Sequence, residues 1–169
     1  MSLSVRPGKP TDLDAALDIY VRARTARNPG RSTPEFVRDE VRSGLLQATT
    51  WFFMAFDEAV PVGMAVAMPS REDFGAGPII PGVCHLGQLF VAPEYWGRGI
   101  GLLLLDTVIG EAARRGYVSM DLVVNDDNER AQRLYVRRGF EPTGRSRMSL
   151  DPASGMASEW VRPLTASRE

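Results

Sequence analysis

Gly97, Gly99 and Gly101 alternate directly after the apolar run Leu89-Phe90-Val91 and open into Leu102-Leu103-Leu104-Leu105. Glycine accepts backbone angles that a Cβ forbids, so the N–H groups of such a loop can turn into one concavity. A helix beginning there aims the positive end of its dipole at the same place. The chemistry this spacing supports is the binding of phosphate groups by main-chain amides. A nucleoside triphosphatase loop needs Gly-x-x-x-x-Gly-Lys-Ser/Thr, and no Lys-Ser or Lys-Thr follows these glycines. Nothing is there to hold a γ-phosphate and its magnesium. The dinucleotide pattern Gly-x-Gly-x-x-Gly fails as well. Counted from Gly97 its last position is Leu102, and from Gly99 it is Leu104.

Three other residues carry chemistry. His85 lies six residues before Val91 on the same apolar run. An imidazole titrates near neutrality and is suited to taking a proton, although a lone histidine in a strand also serves as a hydrogen-bonded structural residue. Strand alternation sends Cys84 and Gln88 to the face opposite His85. Asn128 is a good helix N-cap, a role that needs no ligand. Tyr135 shares a helical face with Ala131 and Leu134, as a core aromatic would.

The elements that position these residues are legible from periodicity. Leu3 to Arg6 reads as a strand, and Leu13, Ala16, Leu17, Tyr20 and Val21 form the buried stripe of a first helix. A second helix starts at Thr33-Pro34-Glu35, with Phe36, Val37, Val41 and Leu45 expected inward. Thr49 to Phe56 and Val60 to Met68 read as a hairpin turned at Asp57-Glu58. Pro69 to Gly82 alternates prolines and glycines and reads as a long loop. Val83 to Val91 is the strand feeding the glycine loop, and Gly101 to Arg115 is a helix capped by Gly116. A strand over Tyr117 to Val124 and a helix over Asn128 to Arg138 follow. A final hairpin joins Phe140–Leu150 to Met156–Pro163 around Asp151-Pro152. The order β-α-α-β-β-β-α-β-α-β-β, with strand–helix–strand around the glycine loop and hairpins elsewhere, predicts an α/β protein with a mixed sheet.

Composition bounds the rest. A chain of 169 residues suffices for one domain, expected over residues 3–165. Its 44% apolar and 24% charged content is that of a soluble globular protein. A net charge of −1 with no long basic run argues against nucleic acid. The single cysteine excludes an internal disulfide and fits a reducing cytoplasm. With a single histidine beside it, no zinc site and no other metal are expected. The N-terminus lacks an apolar secretory core and no long apolar run exists, so no membrane partner is expected.

Val91-Ala-Pro93 followed by Trp96-Gly-Arg-Gly99-Ile-Gly101 resembles the acetyl-CoA loop of the GCN5-related N-acetyltransferase (GNAT) superfamily. The family pattern is Gln or Arg, two residues, Gly, one residue, then Gly or Ala, after a strand ending in Val-x-Pro. Trp96 departs from it, and the departure is expected to alter packing rather than abolish binding. A second motif, Asn128-Glu-Arg-Ala131-Gln-Arg-Leu-Tyr135-Val-Arg-Arg-Gly139-Phe140, matches the family's Asn-x-x-Ala-x-x-x-Tyr-x-x-x-Gly-Phe. The resemblance covers Leu3 to Arg162 and implies a central mixed sheet of about seven strands flanked by about four helices.

The resemblance also implies roles. Main-chain amides from Trp96, Gly97, Arg98, Gly99, Ile100, Gly101 and Leu102 would hold the CoA pyrophosphate. The backbone of Leu89, Phe90 and Val91 would pair with the pantetheine arm as an added strand, and Asn128 would meet a pantetheine amide. His85 stands where several members place a catalytic base, and Tyr135 where the family has its general acid. The implied activity is direct acetyl transfer from acetyl-CoA to an amine, with a small molecule or a protein N-terminus as acceptor. Two other readings stay open: a CoA-binding sensor or scaffold without turnover, and a generic nucleotide-binding domain. Homodimers are common in this family, but no feature of this sequence demonstrates one.

Overall fold

The computed structural model describes residues 1–151 and 154–164. The expected domain limit at 165 and the turn residue Pro152 lie outside the described residues. Seven strands form one mixed sheet in the order β1-β2-β3-β4-β5-β7-β6, and four α-helices complete the architecture expected from the sequence. The chain divides into two compact units. Met1–Met68 with Gln88–Gly110 makes one; Pro69–Gly87 with residues from Glu111 onward makes the other.

The first unit is built on β1 (Leu3–Pro7), β2 (Trp51–Asp57) and most of β3 (Val60–Arg71). β1 pairs antiparallel with β2, and β2 with β3. Helices α1 (Leu13–Arg27) and α2 (Glu35–Leu45) pack their apolar stripes on this sheet. Ala16, Leu17, Ile19 and Tyr20 of α1 join Val41 and Leu45 of α2 over Phe52, Met54, Met64 and Val66. Leu13 and Val21 are partly buried against that cluster, so the sequence stripe of α1 is the observed one.

Phe36 is a correction: it is 65% exposed. The buried stripe of α2 runs Val37, Val41, Leu45, one residue every four. A neighbour of Val37 points about 100° away from that line and cannot share it.

The second correction concerns residues 69–82, which do not form a long loop. β3 continues to Arg71, and β4 begins at Ile79 and runs to Val91. Only a tight turn separates them, closed by Glu72 N–H to Pro78 O and Gly77 N–H to Glu72 O, both 2.9 Å. Proline is compatible with extended backbone and lacks only a donor, so Pro69 and Pro81 sit inside strands without breaking them. Asp73 and Phe74 take left-handed angles at the tip, with φ of 50° and 53°. Such angles are uncommon for residues with a side chain.

In the second unit β4 pairs parallel with β5 (Ser119–Asn125), through Val83–His85 against Ser119–Asp121. β5 pairs antiparallel with β7 (Met156–Pro163), and β7 with β6 (Glu141–Met148). Helix α4 (Glu129–Val136) precedes β6. Tyr135 of α4 packs edge-on against Phe140, with ring centroids 5.7 Å apart. Helix α3 (Ile100–Arg114) follows the glycine loop and ends at Gly116, whose φ of 89° is the left-handed cap expected there.

Candidate active site

The glycine loop begins where β4 ends. Gly97 and Gly99 have φ of 78° and 82°, angles that side chains resist. A Cβ built on either would meet no protein atom within 4 Å, so the space in front of both is open. The first bond of α3 runs from Leu103 N–H to Gly99 O. The N–H groups of Ile100, Gly101 and Leu102 therefore have no acceptor within the helix. Ile100 is almost completely buried, whereas Gly101 and Leu102 are half-buried. These amides and the open glycine face fit a pyrophosphate.

Side chains from the same unit hold the loop in place. The Trp96 indole N–H donates to Val91 O at 2.8 Å. The Tyr95 hydroxyl reaches Asp57 Oδ2 at 3.3 Å, and Glu94 pairs with Arg22 of α1. Trp96 is thus a packing residue that ties the loop back onto the strand feeding it. Arg98 lies over the Tyr95 ring, 5.0 Å from its centroid. Gly63 on β3 allows α3 to approach closely: a Cβ there would stand 2.8 Å from Leu104 Cδ1 and 3.2 Å from Phe90 O.

Leu89, Phe90 and Val91 form the last stretch of β4. Phe90 packs edge-on against Tyr20 at 5.0 Å and belongs to the core side. Parallel pairing with β5 stops at His85, while β4 runs six residues further. Gln88, on that run, keeps its buried Oε1 without a hydrogen bond.

The other three sequence candidates belong to the second unit. Asn128 caps α4, its Oδ1 accepting from Ala131 N–H at 3.2 Å. Tyr135 is 8% exposed, and burial pushes its hydroxyl pKa well above the ordinary tyrosine value, so the oxygen keeps its proton. His85 faces its register partner on β5: Nδ1 is 2.7 Å from Asp121 Oδ1. The other oxygen of Asp121 accepts from the Ser70 hydroxyl at 2.5 Å. A carboxylate fixed in this way holds the Nδ1 proton of a neutral imidazole and leaves Nε2 as the proton acceptor.

Residues 13–140 match the family model described as the Acetyltransferase (GNAT) family. The chain belongs to this family. An uncharacterised N-acetyltransferase of Mycobacterium tuberculosis is 29% identical over 140 residues, covering 79% of this chain and 86% of that protein. A peptidyl-lysine N-acetyltransferase of Escherichia coli is 26% identical, with 86% and 87% covered. Among solved structures, a GCN5-related N-acetyltransferase from Kribbella flavida superposes with a TM-score of 0.76 at 25% identity, covering 96% of this chain and 98% of that one. An N-acetyltransferase from Thermoplasma acidophilum in complex with coenzyme A superposes with a TM-score of 0.68 at 19% identity, covering 94% and 98%, and shares the fold.

As a GNAT protein the chain is an acyltransferase. Two residues of its site escaped the sequence reading, Asp121 and Ser70. Asp121 carried a signal: it is an acid inside the apolar run Met120-Asp-Leu-Val-Val124, and it is buried to 8% exposure. A buried carboxylate requires a partner, and a lone histidine on the preceding strand was the available one. Ser70 had no such signal while residues 69–82 read as loop.

Proposed function

We propose that this protein is an acetyl-CoA-dependent N-acetyltransferase that moves the acetyl group directly to a primary amine in the cytoplasm, through one domain spanning residues 3–165. The observation that carries the proposal is the His85–Asp121 pair, a base oriented by a buried carboxylate. The amides of residues 96–102 hold the pyrophosphate at the open face of Gly97 and Gly99. The backbone of Leu89, Phe90 and Val91 pairs with the pantetheine arm along the run that β5 leaves unpaired. The free amide nitrogen of Asn128 meets a pantetheine carbonyl while its oxygen caps α4. Bound acetyl-CoA supplies a thioester whose carbonyl carbon an amine can attack.

At neutral pH an alkyl amine is mostly protonated and has no lone pair to offer. His85 Nε2 takes the proton, and the Asp121 carboxylate stabilises the imidazolium that results. The nitrogen forms the new C–N bond, main-chain amides meet the charge growing on the carbonyl oxygen, and the C–S bond breaks. Tyr135, kept protonated by burial, donates a hydrogen bond to the departing thiolate. The ammonium gives up two protons in all: the one taken by His85 passes to solvent, and the one left on nitrogen after the C–N bond forms ends on the departing thiolate. Two substrates held in register contribute most of the acceleration.

The acceptor is a small-molecule amine or a protein amine; the name of the Escherichia coli relative favours keeping protein acceptors in view. The test is thioester consumption with a panel of amines, followed against pH. Acetyl-CoA turnover that rises with amine concentration and falls at acid pH supports the proposal. CoA binding without turnover of any amine leaves a sensor or scaffold in its place.

A further inference from the structure

Arg147 of β6 carries a positive charge with no carboxylate partner among the described residues. Its Nη1 donates to Met148 O at 3.0 Å, and its Nε is buried without a hydrogen bond. Burying a donor without a partner is costly, and a guanidinium offers its donors as a fork shaped for a carboxylate. Phe74, held in a left-handed conformation at the β3–β4 turn, lies beneath it with the ring centroid 5.7 Å from the guanidinium carbon. Arg145 shares that ring at 4.9 Å, but its charge is met by Glu159 at 3.4 Å. The neighbouring pair is complete and Arg147 is not.

Register places Arg147 on the sheet face of the proposed base. His85 stands opposite Asp121, and Asp121 shares its face with Asn125, four residues along β5. Asn125 stands opposite Ala157, and Ala157 opposite Arg147. A hydrogen bond of 2.7 Å from Ser149 Oγ to Asn125 Oδ1 joins β6's continuation to the same face. Four residues along the strand and three strand steps put the two Cα atoms at most about 20 Å apart, leaving on the order of 10 Å between the reaching side chains.

We infer that Arg147 is the acceptor's anion site, and that the acceptor is an amine carrying a carboxylate several bonds from the reacting nitrogen. The inference rests on the acetyl-transfer reading above and adds the chemical class of the second substrate. Arg147 binds the carboxylate through its terminal nitrogens, Phe74 supports the guanidinium plane, and the amine reaches His85.

The test compares 6-aminohexanoate with hexylamine, which differ in the carboxylate and share the amine. Both are titrated calorimetrically into the full chain, with and without saturating CoA, and both are offered as acceptors with acetyl-CoA. The expected result is binding at least about tenfold tighter for 6-aminohexanoate, with the same preference in kcat/KM. Arg147→Gln should erase the difference, and Arg147→Lys, which keeps the charge and loses the fork, should retain part of it. Equal binding of the two amines, binding of neither, or a preference that survives in Arg147→Gln overturns the inference. Failure of the acetyl-transfer reading is seen separately, as absent CoA binding or absent turnover, because the titrations without CoA still report the anion site.

Discussion

Asp121 and His85 are register partners on parallel strands, and a single carboxylate–imidazole contact of 2.7 Å joins them. The carboxylate sits deeper than the ring: the side chain of Asp121 is 11% exposed and that of His85 29%. This is the gradient a base needs, with its orienting group buried and its reactive nitrogen nearer the substrate. Asp121→Asn preserves the shape and removes the charge. It should lower kcat/KM by about 10–100-fold, the usual cost of losing an orienting partner, with CoA affinity unchanged. His85→Ala should remove the acidic limb of the pH–rate profile, since that limb reports protonation of the base. An Asp121→Asn enzyme with a wild-type rate and profile would reduce the pair to a structural contact. Ser70→Ala, which leaves the carboxylate and its charge in place, should cost only a few-fold.

Tyr135 tests the leaving-group end. The ring is packed on Phe140 and almost fully buried, so Tyr135→Phe should fold and bind CoA as the wild type does. If the hydroxyl stabilises the departing thiolate, kcat should fall by roughly 10–100-fold at saturating acetyl-CoA, with little change in KM. A loss confined to KM would assign the hydroxyl to substrate binding, and no loss would make Tyr135 a core aromatic.

Gly99 and Gly110 make a matched pair. Neither has a protein atom within 4 Å of the position a Cβ would take. Gly110 is exposed on α3 in helical conformation, so Gly110→Ala should stabilise the fold by about 0.5–1 kcal/mol and leave CoA binding alone. Gly99 has a φ of 82°. Gly99→Val should cost about 1–2 kcal/mol of backbone strain and weaken CoA binding at least about tenfold, measured by titration at a temperature where the variant is folded. Unchanged affinity in Gly99→Val would place the phosphates elsewhere.

What could be read in the sequence was local. The helix stripe of Leu13, Ala16, Leu17 and Tyr20 is a spacing within one element, and Gly97 and Gly99 are needed by the backbone of their own loop. Phe36 is apolar yet out of phase: Val37, Val41 and Leu45 set the buried line, and Phe36 falls off it. Over residues 69–82 the prolines and glycines, which mark turns more often than strands, point to a loop, whereas pairing across a long hairpin outweighs that preference. His85 was legible as a candidate and its carboxylate partner was not. His85 and Asp121 are 36 residues apart and meet only through a parallel register, which nothing local specifies. Ser70 joins them from a third strand.

Stability in acid should carry the mark of Glu111, in the last turns of α3. Its carboxylate accepts from Arg114 Nε and Nη2 at 2.8 and 2.6 Å and from Arg115 Nε at 2.9 Å. The Arg114 bonds, more than the Arg115 bond, draw its pKa from 4.5 down to about 2. A carboxylate whose folded-state pKa is depressed stabilises the fold above its unfolded value, and that contribution is lost as pH falls through the folded value. Wild type should therefore lose this stability between pH 4.5 and about 2. Glu111→Gln, which cannot ionise, should be less stable than wild type at pH 7 by about 0.5–1 kcal/mol, a modest figure because Arg114 is largely solvated and Arg115 partly so. The gap between the two proteins should narrow as the wild-type carboxylate protonates and close near pH 2. Denaturant unfolding of both proteins across that range measures it. A gap of constant size down to pH 2 would show that Glu111 contributes through packing and neutral hydrogen bonds rather than through its charge.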